Sequence, residues 1–179
     1  MDVFELIQKR ESCRDYSDER VPREKLNALI EAARLAPSGH NGQPWRFVVV
    51  DDAKQVLRFA ECVYDKETGI NRFAAQVPAY IVAIENQTKK RFSSAQFSSQ
   101  GNRGVDIGIA TGYLTLAATE TGLSTCIMSW IDREKIKKLL SVPEELYIHL
   151  AVAVGYAKSP EIRQKKRKAM EEIASYNSY

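Results

Sequence analysis

The 179-residue chain is poor in the residues that build metal centres and nucleophilic triads: it holds three cysteines, Cys13, Cys62 and Cys126, and two histidines, His40 and His149. The cysteines are odd in number, widely spaced and outside any CxxC or Cys/His pattern, which argues against a disulfide framework and a zinc site and fits a reducing cytoplasm. His149 lies in an apolar run and reads as a satisfied core histidine, so a Ser/His/Asp or Cys/His machine has little to stand on. The charge excess is small as well, with 26 Lys and Arg against 23 Asp and Glu for a net +3. A general attraction to nucleic acid or anionic membrane is therefore not expected, and any anion site must be local. No stretch approaches the roughly 18 apolar residues of a membrane span, and the acidic start MDVFELIQKRE does not read as a targeting signal. The phosphate loop GxxxxGK[ST] does not occur, and no GxGxxG follows a strand.

What is present is a regular succession of amphipathic segments. The length suits one ordinary domain with a substantial core, so residues 1–179 are expected to form a single domain. Asp2 is placed to cap a helix through Lys9, with Phe4 and Ile7 on its buried side. Pro22 suits a first helical position, and Leu26, Leu29, Ile30 and Ala33 recur at helical spacing until Pro37. Residues 46–50 read as a β-branched strand, Asp52 as the cap of a helix carrying Val56, Phe59, Ala60 and Val63, and Ala79–Glu85 as a second strand. The Ser-, Gln- and Lys-rich stretch 86–104 reads as a loop. Residues 105–121 are helical in length and apolar on nearly every side, the pattern of a helix buried in a core or against a second subunit. A strand over 125–130, a helix over Arg133–Leu140 and a strand over 147–154 follow. Strands separated by helices suggest an α/β or α+β layer architecture, and the pattern does not choose between them.

Two stretches concentrate chemistry. In RESCR, residues 10–14, an extended backbone places Arg10, Ser12 and Arg14 on one face, where two forked guanidiniums and a hydroxyl suit a phosphate. The same triplet also reads as two solvated arginines near a helix end. KKRK, residues 165–168, is able to fold back onto the same anion, to stand as a solvated tail, or to meet an acidic partner. Its brevity, its lack of aromatics and the adjoining Glu171 and Glu172 argue against nucleic acid. PSGHNGQPW, residues 37–45, offers glycines for close backbone approach to a flat ligand, with Asn41 and Gln43 as donors and acceptors. Gly, Asn and Ser at that density also simply build a turn.

Together these stretches resemble the nitroreductase family of FMN-dependent oxidoreductases. The resemblance rests on Arg10, Ser12, Arg14 and Tyr16, on the Ala-Pro-Ser-x-x-Asn-x-Gln-Pro-Trp pattern at 36–45, on Gly-Leu-x-Thr-Cys at 122–126, and on the tail pair Lys165 and Arg167. It implies an α+β, three-layer α-β-α sandwich that dimerises, with one FMN in each of two pockets shared between subunits. In that frame Arg10, Arg14, Lys165 and Arg167 meet the phosphate, and Ser12 meets the ribityl chain or ring edge. Pro37, Ser38, Gly39 and Asn41 approach the flavin from the partner subunit. Asn71, Met128, Ser129 and Trp130 lie near the ring, the last three presenting a backbone N–H to N5. The implied activity is reduction of FMN by NAD(P)H, then of a nitroaromatic, quinone or similar small acceptor by the flavin, with no side-chain acid or nucleophile required. Relatives that cleave the flavin or remove halide keep those chemistries open. From another class, a non-enzymatic protein binding a phospho-ligand or an acidic partner stays open too.

Overall fold

The chain is described from a computed structural model that covers residues 2–86 and 102–179, so most of the stretch read as a loop over 86–104 lies outside the described residues. Helix α1 spans Val3–Lys9, α2 Arg23–Arg34, α3 Ala53–Val63, α4 Asn102–Glu120 and α5 Arg133–Leu140; strand β1 spans Trp45–Val50, β2 Ala79–Glu85, β3 Ser124–Met128 and β4 Tyr147–Gly155. The caps follow from local chemistry. Asp2 and Glu5 form a capping box on α1, Asp52 accepts the Lys54 and Gln55 N–H groups, and Asp132 accepts that of Lys135. Pro22 stands at the N-cap of α2 rather than inside it.

The described strands form one sheet of order β1-β2-β4-β3, antiparallel throughout. That resolves the open choice in favour of α+β. One face carries Tyr80, Val82 and Ile84 of β2 against Val56, Phe59 and Val63 of α3 and Ile136 of α5. The other carries Ala79 and Ile81 against Leu26, Leu29 and Ala33 of α2 and Ala110, Leu114 and Ala118 of α4. With helices on both faces, β2 is apolar at nearly every position, because alternation has no solvent side to mark. Each large side chain fully buried here, Phe59 or Leu26 for example, contributes about 1.5–3 kcal/mol.

Three expectations are corrected. Phe4 and Ile7 are exposed, at 72% and 49%, and α1 buries no residue, because none of the described residues folds over that side of the helix. Helix α4 begins three residues before the expected start; within one chain Val105, Ile109 and Tyr113, four apart, are exposed along one side, so the chain's own core covers only part of it, and burial against a second subunit is the alternative that is left. Strand β3 stops at Met128 instead of Trp130. Past that point the backbone is drawn toward α3, where the Asp132 N–H donates to the Cys62 carbonyl at 2.8 Å and Asn71 Nδ2 to the Trp130 carbonyl at 3.0 Å.

Candidate functional site at the β3 edge

Residues 10–14 run beside β3 as a short parallel segment, with Ser12 opposite Thr125 and the Cys13 N–H donating to the Thr125 carbonyl at 2.9 Å. The alternation read from the sequence holds: Cys13 is buried in the core while Ser12 and Arg14 face outward. Tyr16 anchors the segment. Its ring is fully buried, its N–H donates to Gln76 Oε1 at 3.2 Å, and it bridges to Ala157. Gly155 makes that docking possible, since a Cβ there would stand 2.8 Å from Tyr16 Cδ1 and 2.7 Å from two Pro78 carbons.

The tail returns to this edge. The Arg163 N–H donates to Glu11 Oε2 at 3.0 Å and its Nη2 to the Ser12 carbonyl at 2.9 Å, while Lys165 Nζ donates to the Gln8 carbonyl. Burial pushes the Cys126 thiol pKa up, and the charges of Arg14, Arg10 and Arg163 pull it the other way, so these three guanidiniums share one field. Among the described residues, Arg163 pairs with Glu11 at 3.4 Å, whereas Arg10, Arg14, Lys165 and Arg167 form no ion pair. Arg167 is exposed and bonds to the adjacent Lys166 carbonyl; no contact places it on the 10–14 segment. Arg163 went unnoticed in the sequence, although the period of two through 163, 165 and 167 in an extended tail was a usable signal.

Farther along the same edge, Met128 is buried, and Ser129 and Trp130 are exposed. The N–H groups of Ser129 and Trp130 make no hydrogen bond among the described residues. Trp130 is fixed from behind, its Nε1 donating to Asp65 Oδ2 at 3.3 Å. Asn71, at φ 60°, uses Nδ2 on the Val63 and Trp130 carbonyls. A cleft of about 830 Å³ opens behind Trp130, between α3 and α5, lined by Arg58, Cys62, Asp65, Asp132 and Lys138 among others. Neither residues 10–14 nor the tail line it, so it is separate from the cationic edge.

The 37–43 loop lies elsewhere. His40, Asn41 and Gln43 all have positive φ, of 51°, 52° and 45°, whereas Gly39 and Gly42 do not. The strain therefore falls on non-glycine residues, a costly arrangement that accumulates at functional sites. Gly42 matters for space instead, since a Cβ would sit 3.0 Å from the Gly39 carbonyl. Gln43 donates to Ser38 Oγ at 3.0 Å through its N–H and to Asn41 Oδ1 at 3.1 Å through its amide, and the Gly39 N–H meets the Asp106 carboxylate of α4 at 3.2 Å.

This loop and residues 10–14 occupy diagonal corners of the sheet. Trp45 pairs with Glu85, the last residue of β2; Thr125, beside Ser12, pairs with Val154, which pairs with Ala79, the first. The corners are about 20 Å apart along the strands and about 19 Å apart across four strand spacings, since residues 10–14 lie one spacing beyond β3. One ligand of mononucleotide size does not reach both within a single chain. His149 sits at the irregularity between β2 and β4, its Nε2 2.8 Å from Glu85 Oε2, with Arg103 on the other oxygen at 2.9 Å, and so has a partner as expected.

Architecture and edge together define a class: a three-layer α+β sandwich whose one sheet edge carries, among the described residues, cations outside any ion pair and peptide N–H groups outside any hydrogen bond. Residues 7–156 match the model of the nitroreductase family, and the chain belongs to that family. It is 29% identical to an iodotyrosine deiodinase of Thermotoga neapolitana, over 99% of this chain and 98% of that protein. It is 30% identical to a putative NADH dehydrogenase/NAD(P)H nitroreductase of Methanothermobacter thermautotrophicus, over 91% of this chain and 82% of that one. The structure of an FMN-dependent nitroreductase from Clostridium difficile R20291 superposes with a TM-score of 0.78 at 25% identity, covering 99% of this chain and 100% of the other.

Proposed function

We propose that the chain acts as a homodimeric FMN-dependent oxidoreductase that takes electrons from NAD(P)H and passes them to a small acceptor such as a nitroaromatic or quinone. The observation that carries this reading is the β3 edge itself. Arg10, Arg14 and Lys165, in no ion pair among the described residues, are followed along one edge by the N–H groups of Ser129 and Trp130, which make no hydrogen bond among them. That donor set fits FMN, an anionic phosphate joined to a flat ring that accepts hydrogen bonds. Arg10 and Arg14 would hold the phosphate with Lys165, Arg167 extending that field from the tail, and Ser12 would meet the chain between phosphate and ring. Met128, Ser129 and Trp130 would back the ring. When bound, FMN supplies hydride and electron chemistry that no side chain here can supply. The protein's part is to orient the group and to favour its anionic reduced form with N–H donors and cations.

The diagonal placement supports a pocket built from two chains, in which Pro37, Ser38, Gly39 and Asn41 of one protomer serve the flavin of the other. The exposed stripe of Val105, Ile109 and Tyr113, with α1 unburied nearby, supplies apolar surface for that association. Protein purified with FMN supplied should be yellow and release FMN on denaturation, whereas a colourless preparation that does not bind added FMN overturns the reading. The deiodinase aligned over nearly its whole length favours a second reading, in which the acceptor is a halogenated phenol. Steady-state assays with NADH and NADPH, scoring nitroaromatic loss against halide release, separate the two.

A further inference from the structure

The peptides just past β3 are tied down from the protein side. Asn71 Nδ2 places one hydrogen on the Val63 carbonyl at the end of α3, at 2.9 Å, and the other on the Trp130 carbonyl, at 3.0 Å. Arg133, at the start of α5, reaches the same turn from the opposite direction. Its Nε donates to the Ile148 carbonyl at 2.7 Å, and its Nη2 lies 3.3 Å from the His149 carbonyl and 3.4 Å from that of Ser129. Its guanidinium stands over the Tyr147 ring at 5.2 Å, so the fork is held on both sides.

In a trans peptide, C=O and N–H point in opposite directions. Drawing the Ser129 carbonyl toward Arg133 therefore turns the Trp130 N–H away from α5, and drawing the Trp130 carbonyl toward Asn71 turns the Ile131 N–H away from the 64–71 turn. Neither N–H, nor that of Ser129, is bonded among the described residues. Asparagine suits position 71 for two reasons at once: it tolerates the left-handed backbone found there, and its amide carries two donors.

We infer that Asn71 and Arg133 are positioning residues that hold the 129–131 backbone with the Trp130 and Ile131 N–H groups turned to the open side of the β3 edge, where they set the electron affinity of the bound flavin. This rests on the flavin reading above. It gives Nδ2 of Asn71 a role on the protein backbone in place of the ligand contact implied by resemblance, and it brings in Arg133, which no motif marked. Loosening either clamp removes fixed N–H donors from the electron-rich reduced ring far more than from the oxidised one.

Two variants that keep the charge test this. Asn71→Gly preserves access to positive φ and removes the clamp; Arg133→Lys keeps the cation and loses the fork. Wild type and both variants are titrated with oxidised and with reduced FMN, their FMN midpoint potentials are measured, and thermal unfolding is recorded. In Asn71→Gly, oxidised FMN is expected to bind as in wild type and reduced FMN about tenfold more weakly, a fall of about 30 mV for a two-electron couple. Arg133→Lys is expected to move the potential the same way by less. An unchanged potential in folded Asn71→Gly overturns the inference, as does equal weakening of both oxidation states. If Asn71→Gly does not fold, the potential of Arg133→Lys decides by the same criterion. A wild-type protein that binds no FMN overturns the flavin reading and this inference together, whereas binding with unmoved potentials overturns this inference alone.

Discussion

The β3 edge and the 37–43 loop are held by different physics. At the edge, side-chain charge is the feature and local alternation does the placing: Cys13 is buried, so its even-numbered neighbours Ser12 and Arg14 are turned outward, and the alternation ends before the buried Tyr16. In the loop, the backbone itself is the feature. Three residues at positive φ are kept in place by Ser38, by the amide pair of Asn41 and Gln43, and by the Asp106 carboxylate on α4. A site built on charge tolerates small shifts, because Coulomb attraction falls slowly with distance. A site built on strained backbone works only while its tertiary supports hold.

The sharpest way to break the comparison is to remove the charge. The double variant Arg10→Ala/Arg14→Ala is expected to lose about 3–6 kcal/mol of FMN binding, at about 1.5–3 kcal/mol for each charge-assisted contact. Titration followed by flavin fluorescence measures it, and an affinity close to wild type would remove the β3 edge from the site. Next in size is Ile109→Glu, which sets a carboxylate on the exposed stripe of α4. Association of two chains should weaken by at least about 2 kcal/mol, the cost of desolvating an unpaired polar group. Sedimentation equilibrium reads the association, and flavin content should fall with it if the loop of one chain serves the other; full flavin content in a monomer refutes the shared pocket.

A smaller effect isolates the loop. Asp106→Asn leaves the edge intact and weakens the bond from the Gly39 N–H, so FMN affinity should drop by about 1 kcal/mol while the FMN spectrum and the stability of the sheet stay as in wild type. A change in stability larger than the change in affinity would assign Asp106 to folding instead. The smallest effect is a pH dependence at the same, N-terminal end of α4, where Arg103 meets Glu85. Burial raises the Glu85 pKa, but the hydrogen bonds from Arg103 and His149 outweigh it and hold this carboxyl below its ordinary value. A depressed carboxylate contributes stability that is present above the unfolded value, roughly 4.3, and is lost as pH falls through the folded one. Denaturant midpoints measured between about pH 6 and 3 should therefore show a component in wild type that is missing in Glu85→Gln; parallel curves would show that Glu85 carries no such linkage.

Much of the fold was legible because it is written in short-range periodicity. The bounds of Ala79–Glu85 and Arg133–Leu140 follow from apolar runs and caps, and α2 and α3 from three- and four-residue spacing. The edges of elements were less legible where a distant group intervenes. Asn71 and Cys62 draw the chain out of the sheet after Met128, and no propensity of Ser129 or Trp130 announces that. Arg163 and Asp106 escaped notice for the same reason: each matters through a partner, Glu11 or the Gly39 N–H, that is far away in sequence.

The sequence by itself determined which residues carry charge, which segments are helix or strand, and the outward turn of Arg10, Ser12 and Arg14, since all of these depend on neighbours within a few positions. Only the tertiary structure decided that the sheet is antiparallel, that the tail closes on the 10–14 segment, that Asn71 and Arg133 grip the peptides past β3, and that the two motifs sit at opposite corners. Those outcomes depend on contacts between residues dozens of positions apart, which local pattern does not encode. The distance between the corners turns two motifs of one chain into an argument for a site that needs two.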